Sequence, residues 1–137
     1  MTTESNKKLS QSFFATFDSG DRAGFAAICS PKLVATMPGA PGPLTLDAFW
    51  AAGTGFVSAF SEARHSLVSQ VAEGDLVATR LIWRGFHTGD FAGIPATGRA
   101  VSIDAMSIDR IEGGKIVSHD AFFDLAAFMG QLTAMAA

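Results

Sequence analysis

Three histidines, His65, His87 and His119, and a set of carboxylates in the second half of the chain are the side chains able to move protons here. Imidazole changes charge near neutral pH, so each histidine is a candidate acid or base. The three lie too far apart in sequence to make a recognisable metal motif, and no metal centre is expected. Cys29 is the only cysteine, which excludes an internal disulfide and any multi-cysteine metal site. It sits in an apolar segment read as helical, where a buried, inert thiol is expected rather than a nucleophile. The run Gly93-Ile94-Pro95-Ala96-Thr97-Gly98 is not a phosphate loop. It lacks the following Lys and the helix whose N-terminus would hold the anion.

The carboxylates read differently from one another. Asp104 stands in the middle of a strand, a costly place unless it is paired or exposed, and Arg80 or Arg84 on the adjacent strand can pair with it on the outer face. Asp109-Arg110, close to a hairpin, reads as a solvated strand end. Asp124 precedes a helical segment and reads as its cap. His65, at the start of a strand, either lines a pocket or is exposed beside Arg64. His87 falls in the connection after a long strand, in a structural or pocket-rim place.

The elements that must position these groups centre on residues 74–124. Residues 76–86 carry β-branched and aromatic residues, with Arg80 and Arg84 on one parity and Thr79, Leu81 and Trp83 on the other. Residues 101–111 alternate less cleanly: Val101 and Ile103 share one side, and Ser102, Asp104, Met106 and Ile108 the other. Residues 116–123 follow Gly113-Gly114, whose positive φ suits a tight hairpin. Glu73-Gly74-Asp75 marks another reversal, so residues 65–71 form a fourth strand antiparallel to 76–86. Strands this long and apolar on both sides suit a curved sheet, with helices on one face and a second subunit on the other.

Before the sheet, Leu9, Phe13, Phe14 and Phe17 recur at helical spacing, opposite Lys7, Lys8, Gln11 and Ser12. Asp18-Ser19-Gly20 stops that helix. Asp21 caps a second helix reaching Cys29, with Phe25 and Ile28 inward, and Pro31 closes it. Residues 32–37 read as a short strand and 38–43, rich in Pro and Gly, as a loop. Thr45 caps a third helix with Asp47 in its first turn and an apolar stripe of Phe49, Trp50, Gly53, Phe56, Val57 and Phe60. Gly53 and Gly55 each weaken it by about 1 kcal/mol relative to Ala, for which close packing is the expected reason. Residues 125–132 make a terminal helix. Helices first, then a mostly antiparallel sheet, then a helix is an α+β layout.

At 137 residues this is one domain, 1–137. A net charge of −3 argues against a nucleic-acid partner, which needs a clustered basic face. No stretch has the apolar length of a signal peptide core or a membrane span, so a cytoplasmic setting and no membrane partner are expected. Twelve Phe, two Trp and no Tyr favour an aromatic-lined interior that takes a flat hydrophobic ligand. Thr36, Trp50, Phe56, Trp83, Phe91, Ile94 and Phe123 are its candidate walls.

The stretch GDLVATRLIWRGFHTGDFAGIPATGRAV, then DRIEGGKIVSH and the tail FFDLAAFMGQL, resembles the SnoaL-like polyketide cyclases and ester cyclases of the nuclear transport factor 2-like superfamily. The likeness extends loosely over the N-terminal helices. It implies a curved, mostly antiparallel sheet forming a cone, with the N-terminal helices packed on its concave face. It also implies dimerisation through the open face, with no cofactor and no metal. In such cyclases an acidic residue on the last strand is the general base of an intramolecular aldol closure, and a histidine on the preceding strand assists. That chemistry needs a desolvated carboxylate and a donor for the enolate oxygen. Ungapped alignment places Ala121 at the aspartate and Ser107 at the histidine, and neither can do the job.

Asp120 and Asp124 are near, but a one-residue shift along a strand reverses the face, so Asp120 serves only where the strand is bulged. His119, two residues before Ala121, shares its pocket side, either as base or donor or as a core or interface histidine. Epoxide hydrolases of the same superfamily use an Asp–Arg–Asp set across the strands. Leu81, Trp83 and Ala121 stand at those places, which disfavours that activity. The expected protein is a cofactor-independent enzyme for a small hydrophobic carbonyl compound. His119 would be its proton-transfer residue, Asp120 or Asp104 the carboxylate partner, and His65 and Ser107 would share the lining. The competing expectation is a non-catalytic hydrophobic-ligand binder without the base. In either case a homodimer is expected, through Met106, Ile108 and Phe122.

Overall fold

The computed structural model describes residues 2–133. The N-terminal layer is helix α1 (Thr3–Ser19), the short α2 (Arg22–Ile28) and, after a first strand β1 (Cys29–Thr36), helix α3 (Leu46–Ala59). Strands β2 (Phe60–Glu73), β3 (Leu76–His87), β4 (Ala100–Glu112) and β5 (Lys115–Phe123) follow, and α4 (Leu125–Thr133) closes the order. The sheet runs β1-β5-β4-β3-β2, antiparallel throughout except where β1 lies parallel to β5. This is the expected α+β cone with helices on the concave side.

Local chemistry accounts for the element ends. Thr45 Oγ1 accepts the Ala48 N–H, Asp21 accepts from Gly24, and Asp124 Oδ1 accepts the Ala127 N–H, so all three helix caps fall where the side-chain types put them. Gly20 ends α1 in the left-handed conformation, and Gly113 and Gly114 turn the β4–β5 hairpin with φ of 57° and 74°.

Some boundaries differ from expectation. Cys29 opens β1 rather than ending a helix, and the strand runs through Pro31. It can do so because register with β5 is interrupted between Cys29 and Val34, so no ladder bond needs the missing Pro31 N–H.

The curvature comes from extra residues in the strands. β2 carries one between Ser61 and Arg64, where Glu62 takes a φ of 55°, and another between Leu67 and Ser69. On β5 the pairing slips once, between Ile111↔Ile116 and Arg110↔Ser118. Each bulge bends its strand and sharpens the twist.

The core fills the hollow so formed. Phe13, Phe17, Phe25, Phe49 and Trp50 make one cluster beneath the helices. Phe128 of α4, fully buried, joins Phe56, Phe60, Trp83 and Phe91 in a second. Such tilted and edge-on pairs each contribute about 0.5–1.5 kcal/mol beyond their buried area. Gly53 lets α3 meet α1, because a Cβ there would lie 2.3 Å from Phe17 Cε1; close packing is indeed its reason. Nothing lies within 4 Å of the same point on Gly55, so packing does not explain that glycine.

Candidate active site

Alternation along β4 sends Val101, Ile103, Ser107, Asp109 and Ile111 to the helix side and leaves Asp104 outside. The slip on β5 brings His119 and Ala121 to the same side, directly opposite Asp109 and Ser107 respectively. Two cross-strand pairs therefore follow one another on the concave face: Asp109 with His119, then Ser107 with Ala121.

His119 Nδ1 lies 2.5 Å from Asp109 Oδ1, with both side chains essentially inaccessible to solvent. A carboxylate only accepts, so Nδ1 carries the proton and donates it. Nε2 has no protein partner among the described residues, and in the neutral ring it carries the lone pair. The other Asp109 oxygen, Oδ2, accepts from Ser10 Oγ of α1 at 2.6 Å. A carboxylate at zero exposure is tolerable with two short hydrogen bonds and would be prohibitive without them. Aromatic rings hold the imidazole in place: Phe13 stacks on it at 4.2 Å, and Phe49 meets it edge-on at 5.2 Å.

His119 forms part of the wall of a half-open cavity of about 130 Å³ between sheet and helices. Phe13, Phe14, Phe17, Phe49, Phe56, Trp83 and Phe123 supply its aromatic lining, with Met37, Leu81, Ile103 and Ala121. The polar groups in that wall are His119, His65 and Ser107. Ser107 Oγ is buried without a hydrogen-bond partner, a donor left available to a ligand oxygen. His65 is half-buried at the end of the cavity near α1, its Nδ1 2.7 Å from Asp18 Oδ1. Chemically, the arrangement offers an oriented base, a hydroxyl donor and an apolar aromatic slot.

Of the expected wall residues, Phe56, His65, Trp83, Ser107 and Phe123 do line the cavity. Four others do not. Thr36 lies on the outer face of the sheet, where its hydroxyl donates to Asp120 Oδ1 at 2.7 Å. Trp50 is buried behind the cavity between Phe17 and Phe25. Phe91 and Ile94 bridge to each other in a loop, and Phe91 packs on Phe56, Phe60 and Phe128.

The two carboxylates expected beside His119 are also elsewhere. Asp104 is exposed and pairs with Arg80 at 3.0 Å, its bland outer-face reading. Asp120 points away from the cavity, as its bond to Thr36 requires. The carboxylate that does meet His119 is Asp109, which the sequence reading had put in solvent. Its parity with Val101 and Ile103 was the available signal.

His87 is the last residue of β3, fully buried and outside the cavity wall; Thr97 holds its Nδ1 and Phe60 stacks on it. Cys29 is buried as expected. Burial first, then the neighbouring Asp109 charge, pushes its thiol up to about 12, with Lys115 opposing. Among the described residues no three His, Cys, Asp or Glu side chains gather as a metal ligand set, and no helix is long and apolar enough to cross a membrane.

The likeness to known proteins agrees with this architecture. The chain is 38% identical over 87 residues to the aklanonic acid methyl ester cyclase of Streptomyces peucetius, a match covering 63% of this chain and 60% of that enzyme. Among solved structures, IdmH of Streptomyces antibioticus, a candidate polyketide cyclase, superposes with a TM-score of 0.84 at 26% identity, over 93% of this chain and 97% of that one. A candidate SnoaL-like polyketide cyclase from Jannaschia sp. CCS1 gives 0.88 at 18% identity over 98% and 95%, a likeness of fold alone. The SnoaL-like polyketide cyclase family model matches residues 8–132, nearly the whole chain, and the protein belongs to that family.

Proposed function

We propose that this protein is a cofactor-independent ring-closing enzyme acting by acid–base chemistry on an apolar, carbonyl-containing aromatic substrate, with His119 as the base. The observation that carries the reading is the buried 2.5 Å contact between His119 and Asp109 at the wall of an aromatic cavity. Asp109 holds the imidazole in one tautomer and orientation and meets the charge that forms on the ring when it takes a proton. Ser107 stands ready to donate to the enolate oxygen. The cyclase relative supports the reaction class, and the Phe-rich wall supports a flat substrate.

The direct test is conversion of aklanonic acid methyl ester, followed by chromatography and mass spectrometry for an isomeric product. The wild type should turn over and His119→Ala should not. Absence of wild-type turnover, with the ester bound, would favour a non-catalytic binder of hydrophobic ligands. Ala121 on the cavity wall, opposite Ser107, favours that second reading, and turnover gained by Ala121→Asp would point to a decayed site. We further propose a cytoplasmic homodimer joined through the outer sheet face, where Met106, Ile108 and Phe122 are 42%, 37% and 50% exposed.

A further inference from the structure

We infer that His65 and Asp18 form a second proton-transfer pair on the same cavity, acting as the acid that completes the reaction begun by His119. The inference rests on the acid–base reading above and adds to it the source of the second proton.

His65 repeats the construction of His119. A carboxylate accepts its Nδ1 proton, at 2.7 Å from Asp18 Oδ1, and its ring lines the cavity with Nε2 unpaired among the described residues. Asp18 is itself fixed, since both its oxygens take the His65 backbone N–H, at 3.0 and 3.3 Å. Both imidazoles pack on one ring: Phe14 is 5.1 Å from His65 and 5.9 Å from His119.

The groups around His65 leave little else that titrates. Asp18 and Phe14 face it from α1, its cross-strand neighbour on β3 is Trp83, and His119 is the other titratable side chain of the cavity wall. The two pairs differ in one respect. The His119 and Asp109 side chains are 2% and 0% exposed, whereas those of His65 and Asp18 are 20% and 24% exposed. The first pair is sealed from bulk solvent and open only to the cavity, whereas the second reaches both cavity and solvent.

Two such groups balance an aldol closure. His119 Nε2 takes the proton from the carbon next to one carbonyl, and the C–H pair becomes the new C–C bond to a second carbonyl carbon. The π electrons of that carbonyl move to its oxygen, which takes the Nε2 proton of a His65 imidazolium. One proton leaves carbon and one arrives on oxygen, so the product is an isomer and nothing is oxidised or reduced. Afterwards the proton on His119 Nε2 leaves through the cavity once the product has departed and His65 regains one from solvent, so both groups return to their starting states.

Imidazole ¹⁵N NMR of the full chain, with 1,8-dihydroxyanthraquinone as an inert cavity probe, tests the placement without needing turnover. Saturation should shift the Nε2 signals of both His65 and His119, with His65→Gln identifying the former. A shift at His119 with His65 silent overturns the second pair and leaves the first intact. No shift at either withdraws both readings.

The catalytic role is tested on aklanonic acid methyl ester. His65→Gln should lower kcat roughly 10²-fold with KM nearly unchanged, and should remove one limb of the pH–rate profile. Asp18→Asn should cost roughly tenfold through misorientation of the ring. A His65→Gln protein that is less heat-stable but has wild-type kcat and pH profile would make His65 a tether only and overturn the inference.

Discussion

His119 and Asp109 stand directly opposite one another on neighbouring strands, and the 2.5 Å contact between Nδ1 and Oδ1 is a buried side-chain link across the sheet. Its neighbours on the convex side, Asp104 and Asp120, are bound to Arg80 and Thr36 and have no path to the cavity. The same three-letter residue therefore occurs in three electrostatic settings within two strands.

Those settings predict different outcomes for one substitution. Asp109→Asn should lower turnover of aklanonic acid methyl ester by at least about 10²-fold, because an amide can hold the ring in the wrong tautomer and cannot meet its charge. Asp104→Asn and Asp120→Asn should stay within about twofold, since exposed or outward partners contribute little. Steady-state kinetics on the three variants decides the matter, and equal losses at all three would remove Asp109 from its role.

Ser10→Ala should destabilise the fold by about 1–3 kcal/mol, by leaving Oδ2 of a fully buried carboxylate without its donor. Urea denaturation measures this. A neutral result would mean that Asp109 is satisfied without α1.

The two glycines of α3 should respond with opposite sign. Gly55→Ala gains helix propensity in open space and should stabilise by about 1 kcal/mol. Gly53→Ala would drive a methyl into the Phe17 ring and should cost about 1–3 kcal/mol despite the same gain. Thermal melts of both variants check the pair.

The Cys29 thiol, held up to about 12 from an ordinary value of 9.0, stays protonated in the folded protein at any mildly alkaline pH. It should resist a thiol reagent such as 5,5′-dithiobis(2-nitrobenzoate) at pH 8 and react fully once denatured. The sign also bears on stability. Below pH 9 the buried thiol costs nothing in ionisation, and between about 9 and 12 the unfolded chain alone loses the proton, so stability falls as pH rises through that window.

Phe122→Asp, in the middle of the exposed apolar positions of β4 and β5, should convert a dimer to a 14.3 kDa monomer on gel filtration. A wild type that already elutes as a monomer at micromolar concentration rules out the proposed association.

The caps at Asp21, Thr45 and Asp124, the glycine hairpin and the outer Asp104–Arg80 pair were all legible, because each depends on residues close in sequence or on a face argument along one strand. The partner of His119 was not. Continued without a slip from Glu112↔Lys115, the hairpin would set Asp109 against Ser118 and bring Asp120 to its face. One extra residue, Val117, reverses this, and nothing in its side chain announces the bulge. Ser10 was equally hidden, as its contact spans 99 residues. The aromatic residues were harder still: Trp50 and Phe56 have the same hydrophobicity pattern, and only the position of the void tells a wall from a filling.

The hairpin turned by Gly113 and Gly114 holds both members of the sealed pair, which are ten positions apart along the chain. The His119–Asp109 pair is thus a short-range product of one supersecondary unit, to which the helical layer adds the Ser10 hydroxyl and the Phe13 and Phe49 rings. The His65–Asp18 link instead joins a strand to α1, so a motion that swings that helix to admit or release a molecule separates the second pair while the strand-to-strand contact of the first persists.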